Sequence, residues 1–243
     1  MHKVLIAVLL ITISSIALAQ SGKEGSPDLP GDLIVNFGIN TLSNHPDTMR
    51  LRAFGSKSLG IYYSRRIELS PRFAFYPALG ISSEKYEFEE SITFRRNNEG
   101  GVEFDDIPTA FSFNPNDDLE KNRLVINYLE LPVEFRFYPM KSTDGSGFFI
   151  GVGGSLGVRV SSHMKIKVDG VDPTSGEDFN YIDKFKNSFD LSSVRYGVLG
   201  RVGFRGINAF CRVYFSEMFD TGKSPDPEQN PTSYTIGLSI NAF

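Results

Sequence analysis

The chain has 243 residues, a formal net charge of −4, no tryptophan and 40% hydrophobic residues. No cluster of lysine and arginine is dense enough to indicate a nucleic-acid partner, and the single cysteine, Cys211, excludes an internal disulfide framework. Beyond the first twenty residues no apolar stretch is long enough for a membrane-spanning helix, so any membrane span there has to use β-strands.

The first thirty residues have the pattern of a leader followed by a linker. His2 and Lys3 precede an apolar run, and Ala17-Leu18-Ala19 supplies the small residues after which signal peptidase cuts. This pattern predicts a cleaved signal peptide over residues 1–19. Residues 20–30 are polar and contain proline and glycine, which predicts a flexible lead-in to a single domain over residues 31–243.

Eight strand-like runs with period-two alternation follow the lead-in. Most have ten residues or more, which is about the length needed to cross a membrane at a tilt. The runs cover approximately residues 33–42, 57–68, 71–86, 123–138, 147–162, 190–204, 207–217 and 232–243.

The gaps between these runs alternate in length. The first, third, fifth and seventh gaps are long (43–56, 87–122, 163–189 and 218–231), and those between them are short. An even-stranded barrel with both termini in the periplasm has this asymmetry. The sequence therefore predicts an all-β fold, an eight-stranded antiparallel up-and-down transmembrane β-barrel with short periplasmic turns and long outer loops.

The two faces of the runs differ in composition. In "YLELPVEFRFYP" the residues Leu129, Leu131, Val133, Phe135 and Phe137 share one face, and the corresponding face of the other runs is nearly free of charge. The opposite face is rich in glycine and alanine with arginine and glutamate between them. Small residues are needed inside a narrow barrel wherever a long side chain crosses the lumen, which places this face inside and the apolar face against lipid.

Single positions carry further expectations. Tyr63, Tyr128, Tyr196 and Tyr234 are expected at the headgroup level, where amphipathic rings are common. Cys211, among apolar neighbours, is expected to be a small buried or lipid-facing residue rather than a nucleophile. A β-bulge is expected at Pro132, which cannot donate a ladder hydrogen bond. Phe243 is out of phase with the apolar face of its strand.

The signal peptide, the eight strands, the segment "YLELPVEFRFYP", the Gly-rich "FFIGVGGSLGVRV" and the terminal strand together resemble the PorT-like outer-membrane β-barrel family. The resemblance covers essentially the whole mature chain. It implies an integral outer-membrane protein, and some members of that family are linked to protein secretion.

Charged residues on the inward face are the candidate structural site. Carboxylates there are expected to pair with guanidinium groups, because unpaired charge in a narrow interior is costly. We expect the pairs to close the lumen, and a conducting path is the alternative. The residues of this predicted lumen network are Glu130, Glu134, Arg136, Arg159, Arg195, Arg201 and Arg212.

The sequence is compatible with two other functions. Ser161 and His163 lie on one face at the outer end of the fifth run and are the candidates for a lipid-modifying hydrolase, although loop polar residues are more often without such a role. A soluble periplasmic barrel binding an apolar ligand requires the two faces to be reversed. The leading prediction is a non-enzymatic barrel without a cofactor.

The long outer gaps contain acidic clusters, at 87–90, 103–106, 116–120 and 176–183. None has the spacing of a known calcium loop, so a solvated surface is expected. Alternating fragments within 87–122 suggest that the third and fourth strands extend beyond the membrane as a hairpin. Loops 87–122 and 163–189 are the predicted contacts with other envelope or secretion proteins, beside the lipid that surrounds the barrel.

Overall fold

The chain folds almost entirely into antiparallel β-structure. The computed structural model describes residues 31–96, 101–108, 118–140, 147–171, 178–204 and 206–242. The predicted signal peptide (1–19), the lead-in (20–30) and Phe243 lie outside these residues. In the described part, no helix has the length and apolar character needed to cross a membrane. The strands are β1 (Asp32–Ser43), β2 (Lys57–Ser64), β3 (Ile67–Ser70), β4 (Phe73–Glu87), β5 (Ile92–Arg96), β6 (Val102–Asp106), β7 (Asp118–Phe137), β8 (Phe149–Val171), β9 (Asp178–Lys186), β10 (Val194–Phe204), β11 (Ile207–Tyr214) and β12 (Thr232–Ala242).

Eight of these strands form a closed ring. Neighbours pair antiparallel in the order β1, β2, β4, β7, β8, β10, β11 and β12. The ring closes where β12 returns to β1, from Ser43↔Thr232 to Leu33↔Ala242. This confirms the predicted eight-stranded up-and-down barrel, and closure leaves none of the eight strands with an unpaired edge at the level of the ring.

The faces are also oriented as predicted. Large apolar side chains are exposed around the outside of the ring, for example Phe37, Ile81, Val152 and Leu238. Cys211 lies among them and is exposed, so it faces the lipid. The inside carries buried polar and small residues because eight strands leave an interior that side chains can just fill.

Glycine is needed inside wherever the backbone of a neighbouring strand comes close. A Cβ built on Gly153 would lie 1.9 Å from the carbonyl oxygen of Val133, whereas the nearest atom to a Cβ on the adjacent Gly154 is 3.6 Å away. The alternation of small and long inward residues that the sequence shows is therefore a packing requirement.

The longest strands, β7 and β8, continue past the apolar band into the space outside the membrane. They have 20 and 23 residues, and their register shifts at Asn127/Tyr128 through a β-bulge. Beyond the bulge the inward side chains are apolar and the outward ones are polar: Ile126 and Met164 point inward and are buried, while Lys165 points outward. The reason is the solvent: outside the membrane the apolar face has to be the inner one.

Three sequence expectations are corrected here. Tyr128 is buried inside the barrel and not at the headgroup level, because it shares the inward parity of Glu130 on β7. The bulge expected at Pro132 is wrong: the β7–β8 register runs unbroken through Pro132↔Ser155, and only the pairing to β4 is interrupted opposite the proline. The gap 163–189 is largely a hairpin, since β8 extends to Val171 and pairs with β9.

The outer end of the barrel is filled by an apolar core that we call the outer plug. The segment between β4 and β7 supplies the hairpin β5–β6, a separate two-stranded sheet. Phe94 of this hairpin lies with its ring centroid 5.8 to 5.9 Å from four other phenylalanine rings. The hairpin therefore packs onto the core instead of projecting as expected. The buried residues of the outer plug are Leu42, Met49, Tyr86, Phe88, Ile92, Phe94, Val102, Ile107, Leu124, Ile126, Tyr128, Met164, Ile166, Val168, Phe189, Leu191, Met218 and Phe219.

Candidate functional site

Glu130 is the centre of a buried ionic cluster at the middle of the barrel. It lies on β7, where the strand pattern points it inward, and its side chain is completely buried. Arg195 donates to Glu130 Oε1 at 2.5 Å, and Arg212 donates to Oε2 at 3.0 Å. The hydroxyl of Tyr214 donates to Oε1 at 2.8 Å, and that of Tyr62 donates to Oε2. Side chains from β2, β10 and β11 thus converge on one carboxylate.

Arg195 links this carboxylate to a second one. Its Nη1 lies 2.8 Å from Glu84 Oε1 on β4, and its Nη2 also donates to Ser82 Oγ at 2.8 Å. The guanidinium carbon lies 3.5 Å from the centroid of the Tyr128 ring and 4.2 Å from that of Tyr214, so aromatic faces flank the cation. Two glutamates and two arginines balance in charge within this upper cluster.

Glu134 forms a lower cluster nearer the periplasmic end. Arg136 donates to Glu134 Oε1 at 2.7 Å, and Arg201 donates to Oε2 at 3.0 Å. Arg136 also lies over the rings of Tyr76 and Phe149, at 3.9 and 4.3 Å from their centroids. Two arginines share one carboxylate in this cluster, so one positive charge has no carboxylate of its own. Aromatic faces stabilise such a cation where little water surrounds it.

Arg159 is the member of the predicted network that the structure places elsewhere. Its guanidinium group donates to the backbone oxygens of Leu191 and Ser192, at 3.1 and 3.3 Å, and to Ser162 Oγ. It therefore anchors the connection between β9 and β10 beside the bulge. The structure brings the other six predicted residues into the two clusters, and their role in closing the lumen remains a prediction.

Sequence reasoning missed three participants. Glu84 and Tyr62 share inward parity with glycine and serine neighbours on their strands, and Tyr214 shares it with Arg212; this parity was the available signal.

Little free space remains between the clusters. A cavity lined by residues including Asn36, Glu134, Arg201 and Arg212 has a volume of about 10 Å³, which is room for about one water molecule. Above the upper cluster the outer plug fills the barrel with apolar side chains.

The candidate hydrolase pair has no supporting geometry among the described residues. Ser161 Oγ accepts a hydrogen bond from Asn127 at 2.9 Å. His163 lies opposite Lys186 and beyond the apolar band, and partial burial together with Lys184, Lys186 and Lys165 lowers its pKa. A catalytic histidine of this kind is normally oriented by a carboxylate. The described residues also contain no group of three or more metal-ligating side chains.

The closed ring, the outward apolar band and the ion-paired interior define an integral transmembrane β-barrel of the outer-membrane type. The chain belongs to the outer membrane protein beta-barrel domain family, whose sequence model matches residues 33–216. The protein is accordingly located in the outer membrane.

Solved structures with some likeness to this chain share low sequence identity with it. Ail, the attachment invasion locus protein of Yersinia pestis, matches 87% of this chain and 97% of its own at 11% identity and a TM-score of 0.36. The structure of Ail in complex with the heparin analogue sucrose octasulfate matches 88% of this chain and 100% of its own, at 9% identity and a TM-score of 0.35. A triple mutant of the Rhodopseudomonas blastica porin matches 87% and 98% at 9% identity and 0.20. Among curated protein sequences no relative was found.

Proposed function

We propose that this protein is a non-conducting, non-enzymatic barrel that acts through its outer face as a structural component linked to protein secretion. The observation that carries the proposal is the doubly closed interior. The upper and lower ionic clusters cross the lumen at the level of the membrane, and the outer plug fills the outer mouth.

A conducting path through this interior would require the clusters to separate. Breaking a buried ion pair leaves a charge without compensation and costs about 3–5 kcal/mol. Glu130 is held by four donors on three other strands, so moving it also breaks neutral hydrogen bonds. The interior is thus suited to stiffening the barrel, and its surfaces are left for interaction.

The outer surface has exposed apolar residues that suit a protein partner. Phe54, between β1 and β2, is 82% exposed, and Ile182 on β9 is 54% exposed. Both lie beyond the lipid-facing band, where an exposed aromatic or aliphatic side chain is typical of the centre of an interface. The resemblance to the PorT-like family supports a partner from a secretion system.

Photocrosslinking in cells tests this proposal. A photoreactive amino acid is placed at Phe54 or Ile182, with Val202 in the lipid-facing band as the matched control. We expect discrete protein adducts from the two outer positions and none from Val202. The secretion link predicts that deleting the gene removes specific proteins from the culture medium and that the wild-type gene restores them. Absence of protein adducts at both outer positions would contradict docking, and an unchanged medium would contradict the secretion role.

A further inference from the structure

Outward-facing cations gather on four adjacent strands just outside the apolar band. We call this surface the basic patch. Its first row runs from Lys85 through Val125 and His163 to Lys186, and its second row runs from Glu87 through Arg123 and Lys165 to Lys184. Residues opposite each other in antiparallel strands have Cβ atoms about 4.5–5.5 Å apart and share a face. The second row therefore holds three neighbouring positive charges on β7, β8 and β9.

The level of the patch relative to the membrane follows from the register. Ile81, Leu129 and Val158 form the last apolar row that is paired across these strands, with the extra residue Val160 exposed just beyond it at the bulge, and a polar row of Ser83, Asn127 and Ser161 follows. The Lys85 row comes next, four residues beyond Ile81, which is about 13 Å along a strand and about 10 Å along the membrane normal at a tilt of about 40°. Headgroups occupy the first 5–8 Å or so outside the hydrocarbon, and lysine side chains extend back toward them.

The protein balances the charges of the patch only in part. Glu87 lies opposite Arg123, and it also lies 4.0 Å from a guanidinium nitrogen of Arg52. Within the described part of the chain, no carboxylate lies within 4.0 Å of a charged nitrogen of Lys85, Arg123, Lys165 or Lys184. Lys167, one row further out, does have such partners in Glu120 and Asp169. Like charges in directly opposite positions destabilise a sheet. A row of three is therefore expected where an external anion balances it.

We propose that the basic patch binds the phosphate groups of anionic lipids in the outer leaflet of the membrane. A lipid whose acyl chains lie against Ile81, Leu129 and Val158 would bring its headgroup next to Lys85 and Arg123. Guanidinium and ammonium groups form short, charge-assisted hydrogen bonds with phosphate. The position directly above the lipid-facing band favours a lipid over a soluble acidic protein. The inference does not depend on the secretion role.

Lipid binding to the purified full-length barrel tests the proposal. Native mass spectrometry in a neutral detergent compares bisphosphorylated lipid A with the same glycolipid after removal of both phosphates. The patch variant is R123Q/K165Q/K184Q, and the matched control R50Q/R95Q/K223Q removes three exposed cations from outer segments elsewhere. We expect the wild type and the control to retain lipid A and the patch variant to bind it about tenfold or more weakly, since each cation near a membrane surface contributes several-fold.

Three outcomes would overturn the proposal: equal binding by the patch variant, equal binding of the dephosphorylated glycolipid, or binding of soluble polyphosphate or an acidic protein at the patch with no preference for lipid. Folding of each variant is checked by the gel-mobility difference between boiled and unboiled protein. If the triple variant does not fold, lipid A binding is measured on the double variant K165Q/K184Q instead. The comparison of the two glycolipids on the wild type then tests the proposal independently.

Discussion

At the scale of single residues, Glu130 supports the barrel more than any other carboxylate described. Replacing Glu130 with Ala leaves Arg195 and Arg212 buried without their shared partner, so we expect a loss of about 3–5 kcal/mol in the free energy of unfolding. Glu130→Gln keeps the shape of the side chain, so its free energy of unfolding should lie between those of the wild type and the Ala variant. The measurement is the temperature at which unboiled protein changes to the mobility of boiled protein.

The control for this variant is Asp47→Asn. Asp47 pairs with Arg50 on the surface and its side chain is 98% exposed, so its replacement should change stability by no more than about 0.5 kcal/mol. An Ala variant of Glu130 as stable as this control would show that the cluster does not stiffen the barrel.

Two adjacent glycines provide a second comparison at this scale. Gly153→Ala forces a Cβ against the backbone oxygen of Val133, whereas Gly154→Ala meets only an ordinary contact on the lipid side. We expect the first substitution to destabilise the barrel by about 1–3 kcal/mol and the second to leave the mobility transition unchanged. The reverse order would mean that the faces of β8 are assigned incorrectly.

At the scale of elements, the outer plug is a separate layer whose centre is Phe94. Phe94→Ala removes a ring that contacts Phe88, Phe189 and Phe219, and large-to-small changes of this kind cost about 3–5 kcal/mol. We expect protease to cut residues 87–117 faster while the barrel keeps its unboiled mobility. Phe54→Ala, on an exposed ring, is the control. Loss of the unboiled band would show that plug and barrel fold as one unit.

The stability of the hairpin β8–β9 is expected to depend on pH through His163. Partial burial and then the cations Lys184, Lys186, Lys165 and Arg123 hold the pKa of His163 below its ordinary value. Because the unfolded chain then binds the proton more readily, stability should decline as the pH falls below about 6.5. Nuclear magnetic resonance of labelled histidine, with His45→Gln for assignment, measures this pKa. Adding a phosphorylated lipid should raise it, and a pKa that stays fixed would count against the basic patch.

The sequence could predict the strands within the membrane better than those outside it. Within the membrane, the apolar face of alternating segments such as 129–137 was predicted to face lipid, and the structure confirms this orientation. Beyond the bulge at Asn127/Tyr128 the apolar side chains face inward instead. For this reason Tyr128 was assigned to the wrong face, and 163–189 was treated as a loop. A pattern alone does not state which solvent each face meets.

At the scale of the whole molecule, ring closure was predictable and the candidate site only in part. Alternating long and short gaps define an up-and-down order, and parity groups Glu130 with Arg195 and Arg212. Which donors meet which carboxylate depends on the stagger of eight strands, and this was not available from any one segment. Arg159 shares the inward parity, yet the adjacent bulge turns its guanidinium group to the backbone of Leu191 and Ser192.

Single-channel recording in a planar lipid bilayer tests the closed lumen most directly. We expect the purified, folded wild type to insert without steady conductance steps, while a porin in the same bilayer conducts. Reproducible open-channel steps from the wild type would contradict the closed lumen and the function proposed from it.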